Sequence, residues 1–128
     1  MSTSTNDAAD AEFFGRLAEL NDKFAAGLPQ TLGRLAAARA AFDTAGPQPA
    51  LVAEMHAILH TLAGSAGTFG FRVLGQQARM LEQRLRVFTT FDVVAARDWD
   101  AWLGELDVFV AWGVHDPKAA YPNDESAV

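Results

Sequence analysis

The sequence predicts an all-α protein: an antiparallel up-and-down four-helix bundle with an additional N-terminal helix. Apolar residues recur at spacings of three and four along most of residues 11–113, and no stretch of convincing length alternates with a period of two. Glycine and proline clusters cut this pattern into helix-length segments joined by short turns. Such segments pack as a bundle with axes about 20° apart.

Residues 1–9 are small, polar and acidic and are expected to form a disordered tail. Over residues 11–27, Phe13, Phe14, Leu17, Leu20 and Phe24 form the stripe of an amphipathic helix, with acids early and Lys23 late, as the helix dipole favours. Gly27 and Pro29 interrupt it. Proline suits a first turn better than an interior, so a second helix starts there and runs through Leu32, Leu35, Ala38 and Phe42 to Ala45; a kinked continuation of the first is equally compatible. Gly46 and Pro47 stop it. The central helix follows from Pro49 and ends near Gly67 or Thr68, with Thr68 available to cap the next one.

Phe71, Leu74, Ala78, Leu81, Leu85 and Phe88 mark the next helix, whose outer face carries Arg72, Gln76, Arg79, Gln83 and Arg86. A last helix is built on Val93, Val94, Trp99, Trp102, Leu103, Leu106, Phe109 and Val110, and ends at Gly113. The bundle is thus expected over residues 10–115, and residues 116–128, with two prolines and little to bury, as a loose C-terminal tail.

Bulk composition narrows the function. A chain of 128 residues, half of them apolar, is one domain with one core. No apolar run approaches the ~18 residues of a membrane span, and the N-terminus lacks the order of a signal peptide, so a cytoplasmic protein without a membrane partner is expected. The absence of cysteine excludes disulfides, thiolate metal sites and thiol nucleophiles. A net charge of -6 with dispersed basic residues argues against nucleic acid and for a protein partner.

The central helix carries the functional signal. On a wheel of 100° per residue, Leu51, Met55, Leu59, Leu62, Ala66 and Phe69 collect on one side. His60 and Gly64 fall roughly opposite, with His56 and Gly67 on the flank. Interior glycine costs a helix about 1 kcal/mol against alanine, and an outward face normally carries Glu, Lys or Arg. Gly64, one turn after His60, therefore reads as a clearing that lets another body approach the imidazole. A neutral imidazole has one ring nitrogen with a free lone pair, a nucleophile that needs no general base from this chain.

The run His60-Thr61-Leu62-Ala63-Gly64-Ser65-Ala66-Gly67-Thr68-Phe69-Gly70, followed by Leu74 and then Leu81-Glu82, resembles the histidine-containing phosphotransfer (HPt) domain, whose pattern is H-x-L-K-G-S-A with a spaced L and LE. The match is specific over about thirty residues. The resemblance implies a four-helix bundle in which His60 accepts a phosphoryl group from the aspartate of a receiver domain and passes it to another receiver. It implies a carrier without kinase activity and a monomer, with receiver domains of a hybrid histidine kinase and of a response regulator as partners. It implies no cofactor on this chain, magnesium belonging to the receiver. Gly64 and Gly67 would leave room for the phosphoryl group and the receiver, and Glu82 would orient His60 through its other ring nitrogen. Ala63 departs from the pattern, where the family has a lysine that can neutralise phosphoryl charge; Arg79 or Arg86 on the neighbouring helix would be the substitutes.

Two alternatives stand beside this reading. Loss of the lysine fits a degenerate module that docks a receiver or kinase without carrying phosphate. His56 and His60, four apart on one helix, could instead be two ligands of a metal-binding bundle. That reading lacks the glutamate of H-E-x-x-H and a third ligand, since His115 falls near the tail.

Overall fold

The computed structural model describes residues 3–122. These form four helices: α1 (Thr3–Ala40), α2 (Pro49–Ser65), α3 (Arg72–Phe88) and α4 (Ala96–His115), with no strand among the described residues. Each helix packs on the next, and α4 closes the ring against α1. The core gathers Leu32, Leu35, Met55, Leu59, Leu74, Leu85, Trp102, Leu103, Leu106 and Phe109, all fully buried. The Trp102 indole, the largest among them, donates to the Leu81 carbonyl at 3.1 Å, which satisfies its one donor in an apolar setting. Polar clips hold the rim. Arg39 of α1 meets Asp107 of α4 at 3.1 Å, and Arg84 of α3 pairs with Glu105 of α4.

The expected additional N-terminal helix is not a separate element, because α1 runs unbroken through Pro29. An interior proline removes the bond to the carbonyl four residues back, at Ala25, and costs about 3 kcal/mol. Leu28 and Leu32 flank it with 4% and 0% exposure. Burial of each contributes about 1.5–3 kcal/mol, enough to hold the helix through the proline. Helix also covers the stretch read as a tail from Thr3 onward, where no glycine or proline interrupts before Gly15.

Three boundaries also differ from expectation. Gly113 lies inside α4 rather than at its end: a Cβ there would fall 2.8 Å from the Leu32 side chain, so close packing against α1 accounts for the glycine. Val93 and Val94 precede α4, and Val93 is 86% exposed. Thr68 caps nothing; Phe71 takes the N-cap position of α3 without a side-chain bond, and Gly70, at φ 90°, makes the left-handed turn before it.

Residues 116–121 are not loose. Tyr121 is 3% exposed against the edge of Trp112, whose indole donates to the Ala119 carbonyl at 3.1 Å, and Lys118 Nζ sits 4.9 Å from the centre of the Phe71 ring. Residues 123–128 of the expected tail lie outside the described residues.

Candidate functional site

The site lies on the seam between α2 and α3. Contacts climb one helix while they descend the other: Gly75 lies against Gly67, Arg79 reaches Ala63, and Glu82 meets His60 and His56. Small residues make this approach close. A Cβ at Gly75 would fall 3.3 Å from the Gly67 amide nitrogen and 3.5 Å from the Ala66 methyl, so glycine sets the separation of the helices at the end of the seam. The signal for Gly75 was a lone glycine on the apolar face of α3, between Leu74 and Ala78, which the count of apolar spacing passed over.

His60 stands out from this seam with its side chain 71% exposed, held at its root by Leu59 and Leu62, which are 0% and 2% exposed. Its Nδ1 lies 2.8 Å from Glu82 Oε1. A carboxylate can only accept, so in the neutral ring Nδ1 carries the proton and Nε2 has the free lone pair, on the ring edge away from Glu82. Glu82 itself is 6% exposed, a carboxylate lodged between the two helices. The second imidazole, His56, one turn earlier on α2, brings its Nε2 to 3.5 Å from the same oxygen. The two rings lie within 10° of parallel, with centres 6.1 Å apart.

Gly64 and Gly67 are both exposed, and a Cβ on either would meet nothing within 4 Å. Packing within this chain therefore does not require glycine at either place. Ala63 is half-buried and its carbonyl accepts from Arg79 Nη2 at 3.2 Å, which puts a guanidinium over the turn that follows His60. Arg86 lies on the other side of Glu82. It shares with His56, Val52, Pro49 and Trp99 the wall of an open, mainly apolar groove beside the site. The seam thus presents one exposed nucleophilic nitrogen, bare backbone beyond it and an arginine on each flank. Such a surface suits an incoming phosphoryl group. Among the described residues, no group of three or more His, Asp or Glu side chains is arranged to hold a metal ion.

Comparison with known families agrees with this geometry. The family model for the Hpt domain matches residues 19–109, well over half of the chain. The chain belongs to the Hpt family. Hpt domains serve histidine phosphotransfer in phosphorelays as phosphocarrier modules rather than kinases, and they interact with receiver domains of response regulators or hybrid kinases. The matched span runs from the middle of α1 to near the end of α4 and includes the whole α2–α3 seam. Neither the curated proteins nor the solved structures compared with the chain gave a match.

Proposed function

We propose that this Hpt protein accepts a phosphoryl group on Nε2 of His60 from a receiver-domain aspartate and passes it to a second receiver. The observation that carries this reading is the 2.8 Å contact of His60 Nδ1 with Glu82, which protects one ring nitrogen and leaves the other free and exposed. The Nε2 lone pair attacks phosphorus, the bond from phosphorus to the aspartyl oxygen breaks, and the carboxylate leaves on the receiver. The proton on Nδ1 stays against Glu82 throughout, so no base is consumed.

Gly64 and Gly67 keep the approach to Nε2 clear. Arg79, held over the following turn by the Ala63 carbonyl, supplies the positive charge that a lysine at residue 63 would have brought. The magnesium ion needed to balance phosphoryl charge belongs to the receiver, and this chain needs no cofactor. The partners are the receivers of a hybrid histidine kinase and of a response regulator. The working unit is a monomeric, cytoplasmic antiparallel up-and-down bundle of α1 to α4. No helix among the described residues is long and apolar enough to cross a membrane.

The test is transfer from phosphorylated receiver domains to the wild-type protein and to His60→Gln. Acid-labile label on the wild type and none on the variant is the expected result. No label on either, with binding retained for several donors, would leave a docking module that carries no phosphate.

A further inference from the structure

Glu82 is the one charged side chain buried among the described residues, and burying a carboxylate is costly unless it is paired. Two imidazoles of α2 meet its carboxylate. His60 holds Oε1 by a hydrogen bond of 2.8 Å. His56 Nε2, at 3.5 Å from the same oxygen, is too distant for a good hydrogen bond, but when it carries the ring proton its N–H dipole faces the carboxylate. The carboxylate has other places to go: Arg86 lines the groove beside His56, one turn along α3. Arg79, on the opposite side, is engaged with the Ala63 carbonyl.

We propose that His56 is a positioning residue for His60: it pins the Glu82 carboxylate so that Oε1 stays on His60 Nδ1. The inference rests on the acceptor role proposed for His60. Pinning matters because a free imidazole favours the tautomer with its proton on Nε2, and in that form the exposed nitrogen has no lone pair to attack phosphorus. Glu82 reverses the preference only while it faces Nδ1. Without His56 one of its two imidazole neighbours is gone, and Arg86, four residues along α3, is at the spacing at which a carboxylate and a guanidinium on one helix pair. The nearly parallel rings fit this division of labour: one imidazole turns Nε2 inward to the carboxylate, the other turns Nε2 outward.

The experiment reads the ring nitrogens of His60 by nitrogen-15 NMR in the 128-residue chain and measures transfer from a phosphorylated receiver in parallel. The variants are His56→Leu, His56→Gln, Glu82→Ala and the His56→Leu/Glu82→Ala pair. A glutamine amide nitrogen can stand where His56 Nε2 stands, whereas leucine has no donor. His56→Leu is expected to raise the share of Nε2–H tautomer and slow transfer about three- to tenfold, the loss of one polar contact. His56→Gln restores the tautomer and most of the rate, and the double variant is no slower than Glu82→Ala alone.

An unchanged tautomer in His56→Leu overturns the proposal. So does equal loss in His56→Leu and His56→Gln, or a leucine effect that persists in full without Glu82. His56→Asn, too short to reach the carboxylate, serves as the second loss variant if leucine disturbs the helix. A wild type that takes no label while its tautomer responds as expected would sink the acceptor reading and keep the positioning role.

Discussion

The two halves of α1 carry similar apolar spacing and meet different fates. From Leu28 to Ala38 the stripe of Leu28, Leu32, Leu35 and Ala38 is 0 to 4% exposed, sealed by the neighbouring α2 and α4. Toward the N-terminus the stripe of Phe13, Leu17 and Leu20 continues at the same interval, yet Phe13 is 61% and Leu20 49% exposed, and Phe14 beside them is 63% exposed. Phe24 marks the transition, packing against Phe69 and Phe71 at the turn between α2 and α3. Before that turn the described residues offer no helix to pack on. At 1.5 Å per residue α1 spans roughly 57 Å where α2 spans about 26 Å. A period of three and four therefore names the face a helix would bury, while the length of the neighbouring helices decides how much of it is buried.

If that is right, stability should follow contact with neighbouring helices rather than apolar spacing. The largest effect belongs to the sealed region. Leu59→Ala, in a fully buried position next to His60, should cost about 2–5 kcal/mol in chemical denaturation through the cavity it leaves. A near-neutral result would mean that the face of α2 opposite His60 is not the core face.

A smaller loss is expected where the seam is tightest. Gly75→Val places a branched side chain against the Gly67 amide and should cost about 1–3 kcal/mol through overpacking. Because the seam also carries Glu82, that variant should slow phosphotransfer more than Leu59→Ala does when both are measured well below their melting temperatures. Equal slowing would make the helix separation irrelevant to the site.

These contrasts explain what the sequence could and could not reveal. The core of α2, α3 and α4 was legible because each of those helices is flanked by two others: Met55, Leu59 and Leu62 are buried where the wheel placed them, and Leu74, Ala78, Leu81, Leu85, Trp102, Leu103, Leu106 and Phe109 where the apolar spacing did. His60 was legible because its surroundings violate the usual rules for a helix surface, and the Hpt pattern then matched the run that follows it. Three features were not. Continuity through Pro29 depends on the burial of Leu28 and Leu32 by other helices, a tertiary gain that a local proline rule cannot contain. Gly113 looked like a terminator because its reason, the Leu32 side chain, lies 81 positions away in the chain. Tyr121 sits between two turn-like prolines, Pro117 and Pro122, and is buried against Trp112 all the same. At the site, the shared oxygen of Glu82 could not be read either, since the spacing of His56 and His60 gives no distance to another helix.

Gly64 gives a third prediction, of opposite sign. Its Cβ position is open and the residue lies within α2, so Gly64→Gln should raise stability by about 0.5–1 kcal/mol, the helix gaining a better former. The same side chain would project into the space beside His60 and slow transfer from a receiver. Greater stability with an unchanged transfer rate would remove the clearance argument while leaving the fold intact.

The smallest effect should come from the part of α1 that reaches past the bundle. Phe13→Ser and Phe14→Ser remove two large apolar groups from a helix, a change that in the core would cost several kcal/mol. Here both rings are more than half exposed and meet edge to face at 5.5 Å. Substitution at exposed positions without further partners stays within about 0.5 kcal/mol. The two variants should therefore leave the denaturation midpoint unchanged at every protein concentration. A midpoint that falls on substitution, and falls further on dilution of the wild type, would show that a second copy covers this stripe in solution. The free end of α1 would then be an interface, and the contrast between its two halves would be one of which chain does the burying.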